Sequence, residues 1–159
     1  MTDELNEMAR QVIDGNKYMT LGTIGPDGRP RVSPVYFTHV GYRDFYWVSS
    51  PEAVHSLNVE ERPAVSAVIF DSTVRAGHGR AVYLTGRARR VPDAELPERC
   101  EVAFRDIAGA RPFGPEELSG PADLRLYLLP ADALDVHIPA GHPTLGTGID
   151  RRVRAWSAA

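Results

Sequence analysis

The stretch "YMTLGTIGPDGRPRVSPVYF", residues 18–37, decides the fold. Its first seven residues read as a strand. Then comes a turn: Pro26 suits the second turn position, Asp27 the third and Gly28 the following position that needs φ > 0, which predicts a tight hairpin. The return strand runs from Pro30 toward Val40. Strand alternation puts Arg31, Ser33, Val35 and Phe37 on one face and Val32, Pro34 and Tyr36 on the other. Pro34 has no N–H for a ladder, so this strand belongs at an edge, a rim or a bulge.

On the N-terminal side, Leu5, Met8, Ala9, Val12 and Ile13 recur at helical spacing and Gly15 is a natural stop, which predicts a helix over 3–14. On the C-terminal side, "HVGYRD" makes a turn and "FYWVSS" a third strand. Ser50 fits a helix N-cap with Pro51 at the first helical position. That helix runs to about Glu61, where Arg62-Pro63 ends it. "AVSAVIF" is a fourth strand and "DSTVRAGHG" a polar loop. "RAVYLTGRARRV" is a long fifth strand, with Gly86 where a coiled barrel bends. A helix follows over 93–107. Residues 108–123 are broken by Gly and Pro around one short helical turn. "LRLYLLPADALDVHI" supplies a sixth strand and a seventh, and the tail from about 139 to 159 carries no periodicity. Short antiparallel strands with few helices point to a small closed or split barrel.

The totals bound the function. At 159 residues the chain has the size of one ordinary domain, and the expected organisation is a single domain over 1–159. One cysteine, Cys100, excludes an internal disulfide and is compatible with a reducing, cytoplasmic setting. No apolar run approaches the roughly 18–20 residues that span a bilayer, and "MTDELNEMARQVIDG" reads as neither signal peptide nor anchor. A net charge of −3 argues against general nucleic-acid binding. No His/Cys/Asp set has metal-ligand spacing, so no metal is expected.

Residues 45–70, "FYWVSSPEAVHSLNVEERPAVSAVIF", carry the chemistry. A helix N-terminus presents unpaired N–H groups and the positive end of the helix dipole. Ser49 and Ser50 add hydroxyls there, His55 can turn back to the same anion, and Arg31 on the neighbouring strand offers a guanidinium fork. Each residue alone also has a plain structural use: a serine before proline caps, a helical histidine packs, a strand arginine solvates a rim.

The arrangement resembles the pyridoxamine 5′-phosphate oxidase-like family of flavin-binding split barrels. The resemblance rests on "YMTLGTIGPDGRPRVSPVYF", on the aromatic strand ending in Ser49-Ser50 with a basic residue and Asn58 in the helix after it, and on the long strand "RAVYLTGRARRV". It covers residues 5–91 well and the part from "LRLYLL" to "DRRV" more weakly. It implies a mainly β fold with peripheral helices, a six- to seven-stranded antiparallel split β-barrel. It further implies a homodimer with two molecules of flavin mononucleotide (FMN) at the interface. Arg31, Val32, Ser33, Pro34 and Val35 then line the flavin ring and ribityl chain. Ser49, Ser50 and His55 hold the phosphate, Asn58 supports the site, and Arg80 is a further candidate.

Two departures stand out. Relatives usually place Lys or Arg where this chain has His55, which is charged only part of the time near neutral pH. The C-terminal candidates His137, Arg151, Arg152 and Trp156 align loosely, and no catalytic residue is assigned. The resemblance implies an FMN-dependent oxidoreductase acting on a small molecule. Alternatives on the same fold are an F420-dependent reductase, for which Arg87, Arg89 and Arg90 form the basic cluster, and a flavin- or haem-binding barrel with no catalysis. A single-stranded nucleic-acid platform is disfavoured, because Tyr46 and Trp47 point to opposite faces and the chain is acidic.

Overall fold

The computed structural model describes residues 2–105 and 112–158. The hairpin forms as its residues dictate. Strand β1 (Tyr18–Ile24) pairs antiparallel with β2 (Pro30–Tyr36), in register from Tyr18 opposite Tyr36 to Ile24 opposite Pro30. At the turn Gly28 has φ 75° and its N–H donates to the Gly25 carbonyl, while the Asp27 carboxylate accepts from the Arg29 N–H. Helix α1 (Thr2–Asp14) precedes the hairpin. After it come β3 (Thr38–Val40), β4 (Asp44–Ser49), α2 (Val54–Glu61), β5 (Ala64–Phe70), β6 (Ala81–Arg87), β7 (Arg89–Arg90), α3 (Leu96–Ala103), β8 (Arg125–Ile138) and β9 (Arg151–Ser157).

The sheet order is β2-β1-β5-β6-β8-β4-β3, with β7 and β9 also pairing to β8. Adjacent strands are antiparallel, and the whole is a split β-barrel, mainly β with helices at its margins. The split has an identifiable cause. Strand β8 is one strand of 14 residues whose first half pairs with β4 and β7 and whose second half pairs with β6 and β9. It changes partners at Pro130-Ala131, beside a bulge between Thr85 and Gly86. A Cβ on Gly86 would sit 2.5 Å from the Pro130 carbonyl oxygen, so glycine lets the two strands cross this closely.

Two cores result. Phe45, Trp47, Tyr127 and Leu129 join Leu21, Val35, Leu84 and Val136 inside the barrel, and the apolar stripe of α1 (Leu5, Met8, Ala9, Val12, Ile13) packs into the same cluster. The opposite faces of β4 and β8 place Tyr46, Leu126 and Leu128 against Leu96, Cys100 and Ala103 of α3. Tyr46 and Trp47 thus serve different cores, as period-2 alternation requires. Helices α1 and α2 lie at opposite ends: Gln11 of α1 meets Arg80 just before β6, while Asn58 and Arg62 at α2 meet Thr23 and Ile24 at the far end of β1.

The structure corrects several expectations. Helix α2 begins at Val54 with Ala53 as N-cap, not at Pro51. Ser50 instead closes a turn, its carbonyl accepting from Ala53 N–H and its hydroxyl from Glu52 N–H, so the chain turns once before it coils. The fifth strand divides at Ala88, whose N–H turns away to the Pro63 carbonyl. The expected sixth and seventh strands are the single strand β8, because Pro130 falls at the change of partners. The tail is not irregular throughout: Arg151–Ser157 is β9, which β8 recruits. The helix expected over 93–107 is a 3-10 turn (Asp93–Glu95) and α3, ending at Ala103, with 106–107 outside the described residues. The short helical turn expected in 108–123 is present at Pro115–Glu117; positions 108–111 also lie outside the described residues.

Candidate functional site

The site builds from the end of β4. Ser49 is the last residue of that strand, and alternation places it on the barrel-interior face with Phe45 and Trp47. The turn at 50–53 brings the chain back so that His55, in the first turn of α2, faces Ser49: Ser49 Oγ and His55 Nε2 are 2.8 Å apart. Both side chains are half-buried. Burial pushes the His55 imidazole below its ordinary value, favouring the neutral ring. Asn58, one turn on, is buried, and its amide donates to Thr23 Oγ1 at 3.0 Å, tying α2 to β1. That contact makes Asn58 a residue that positions the helix.

Beneath α2 the barrel interior turns polar. Ser56 Oγ, Tyr127 OH and Trp47 Nε1 are all buried without a well-formed hydrogen bond, and the Ser56 hydroxyl is near enough to Tyr127 to act on its ionisation. Tyr127 and Trp47 are direct cross-strand partners with rings stacked at 5.6 Å. Burial pushes the Tyr127 phenol up. The next interior pair toward the open end is Ser49 opposite Arg125.

The other expected residues separate into groups. Val32, Ser33, Pro34 and Val35 lie on β2, which is a sheet edge, as Pro34 predicted. Val32 and Pro34 are exposed, and Val35 is buried in the barrel core. Arg31 is exposed and pairs at 3.7 Å with Asp27 of its own hairpin. Arg80 donates to Gln11 of α1, at the opposite end of the barrel from α2. Neither arginine makes a hydrogen bond or ion pair to Ser49, Ser50 or His55. His137, Arg151, Arg152 and Trp156 all belong to the β8–β9 ladder or its connection. There His137 pairs with Asp150, Arg152 lies 3.4 Å over the Tyr83 ring, and Arg43 lies 3.4 Å over the Trp156 ring. Of the basic trio, Arg89 makes a two-point contact with Glu95 and Arg90 pairs with Asp93, which leaves Arg87 exposed. Among the described residues no group of three or more His, Cys, Asp or Glu is placed to hold a metal, and no helix is long and apolar enough to cross a membrane.

The sequence reading missed Arg125. It is 9% exposed and sits at the same end of the barrel as Ser49 and His55. Nothing local marks it, since "DLRLYLL" reads as an ordinary strand start.

Residues 5–133 match the family model described as pyridoxamine 5′-phosphate oxidase. The chain belongs to that family. Solved structures with the same fold include a haem-binding protein from Mycobacterium smegmatis (TM-score 0.68, 20% identity). This chain is covered over 94% of its length there but spans only 57% of that protein. A pyridoxamine 5′-phosphate oxidase-related, FMN-binding protein from Nostoc punctiforme has TM-score 0.62 and 13% identity, over 92% of this chain and 85% of that one. An F420 reductase has TM-score 0.55 and 20% identity, over 79% and 94% respectively. The chain has no match among curated proteins. At these identities the structural likenesses concern the fold; family membership rests on the sequence match.

Proposed function

We propose that the protein is an FMN-dependent oxidoreductase acting on a small molecule, and that it works as a homodimer. The observation that carries the reading is the Ser49–His55 pair, one hydroxyl and one imidazole 2.8 Å apart where β4 turns into α2, beside an edge strand with free backbone groups. A hydroxyl, an imidazole and the N–H groups of a helix start form a donor set suited to a phosphate oxygen. The orphaned Arg125 Nε nearby is a further donor without an acceptor. The residues present therefore fit a phosphate-bearing cofactor.

A bound flavin supplies the two-electron chemistry; the chain supplies binding and orientation. On this reading Ser49, Ser50 and His55 anchor the phosphate, and the free edge of β2 from Arg31 to Val35 presents backbone donors and acceptors to the ring. The outer face of the adjoining sheet leaves Tyr18, Ile24, Val32 and Phe70 exposed, with Val32 73% and Phe70 47% accessible. Cross-strand register sets these residues on one face of β2, β1 and β5. A second copy covering that face would bury the apolar patch and enclose the ring.

FMN is favoured over F420 because Arg89 and Arg90 are already paired to Glu95 and Asp93, which removes most of the basic groove a polyglutamate tail would use. Titration of the purified protein with FMN, FAD and F420, followed by visible absorption, tests the reading. A perturbed flavin spectrum with FMN tighter than FAD is expected. Binding of F420 alone, or of none of the three, would overturn it.

A further inference from the structure

We propose that Arg125 is the fixed cation of this corner and that its unoccupied donor edge takes the phosphate; the flavin part of the claim rests on the function proposed above. Arg125 opens β8 directly opposite Ser49 on β4, so their side chains leave the same face of the sheet with Cβ atoms about 4.5–5.5 Å apart. Ser49 in turn holds His55. The three residues come from a strand end, a strand start and a helix start: the pairing of β4 with β8 sets Arg125 opposite Ser49, and Ser49 bonds His55.

The guanidinium has five N–H groups, and three are used. Nη1 donates to the carbonyls of Ala122 and Leu124, and Nη2 donates to the Gly120 carbonyl at 2.7 Å. The Nε–H is buried and has no partner. With the second hydrogen of Nη2 it makes up the remaining donors, and Nε with Nη2 forms the side-on fork that fits two oxygens of a carboxylate or phosphate. No carboxylate among the described residues lies within ion-pair distance of Arg125. This separates it from its neighbours at that end of the barrel, since Arg31 is paired with Asp27 and Arg62 with Glu61.

Three carbonyls orient the group but bring no negative charge. A cation that is 9% exposed, with an orphaned N–H and no counter-ion, is costly unless an anion completes it. Its side chain is held by the 120–124 segment before any ligand arrives, so little ordering remains to be done on binding. A permanent charge here also complements His55, which is charged only part of the time near neutral pH: the phosphate meets its fixed charge on β8 and a titratable group on α2.

The test compares FMN with riboflavin, which lacks the phosphate, on the wild-type protein and on Arg125→Gln and Arg125→Lys. Loss of a charge-assisted fork predicts an FMN Kd about 10- to 100-fold higher in Arg125→Gln, with riboflavin affinity unchanged and Arg125→Lys intermediate. A folded Arg125→Gln protein in which both affinities hold, or both fall together, would make Arg125 a staple for the 120–124 segment and nothing more. Inorganic phosphate is the second probe, read without any variant by the Arg125 Nε–H proton resonance, which should shift on addition at matched ionic strength. An unmoved resonance overturns the proposal even if the variants fail to fold. If the wild type binds no flavin but phosphate moves that resonance, the flavin reading falls and the anion site stands.

Discussion

Ser49 Oγ and His55 Nε2 lie 2.8 Å apart, and each is the other's partner across the junction of β4 and α2. Burial holds the imidazole neutral to lower pH than a free histidine. In the absence of ligand the sign is clear. The folded pKa is depressed, so the stability this group contributes is full above about pH 6.5 and is lost as pH falls through the folded value. A phosphate reverses the preference, because it favours the charged ring. The FMN affinity of the wild type divided by that of His55→Gln should therefore rise as pH falls from 8 to 6, by about fivefold for a bond that gains a charge. Dividing by the variant cancels the titration of the phosphate itself. A ratio flat with pH in fluorescence titrations would confine His55 to packing.

Asn58 makes a different kind of contact. Its bond to Thr23 is buried, and deleting it leaves the Thr23 hydroxyl without a partner. Asn58→Ala should lower stability by about 1–3 kcal/mol, read as a shift in urea midpoint with an unchanged m-value. The preference for FMN over riboflavin should survive. A variant of unchanged midpoint that lost that preference would place Asn58 in the ligand site.

Gly86 is the pivot of the split. A methyl group there meets the Pro130 oxygen at 2.5 Å and Leu129 Cδ1 at 2.8 Å, one of them backbone that cannot step aside. Gly86→Ala should destabilise by about 1–3 kcal/mol, as overpacking does, and thermal unfolding measures it. An alanine variant as stable as wild type would mean that β6 and β8 can separate at the bulge.

The apolar outer face gives a prediction about assembly. Val32→Lys and Phe70→Glu place charges on exposed positions, so each should change monomer stability by no more than about 0.5 kcal/mol. If a second copy covers that face, sedimentation should show wild-type dimers and variant monomers, with flavin affinity falling alongside. Dimers that persist in both variants would place the interface elsewhere.

The parts legible in the sequence are those whose cause is local. Pro26-Asp27-Gly28 specify a turn through their own backbone preferences, and Leu5, Met8, Val12 and Ile13 specify a helix face by spacing. The opposite burial of Tyr46 and Trp47 follows from strand alternation alone. Even the start of α2 was only partly local: Ser50-Pro51 has every residue of a helix start, yet the chain forms a turn first and coils from Val54.

The sequence by itself determined the family, the hairpin, the barrel class and the proximity of Ser49 to His55, because each depends on residues close in the chain or on a contiguous motif. Tertiary structure alone decided that Arg151–Ser157 is a strand, that β8 is unbroken at Pro130, and that Arg125 stands opposite Ser49. Those facts depend on which distant strands share a ladder. A strand's partner supplies hydrogen bonds and packing that its own residues do not encode, so a polar segment such as "RRVRAWS" becomes regular, and Arg125 comes to stand opposite Ser49, only once the sheet has closed around them.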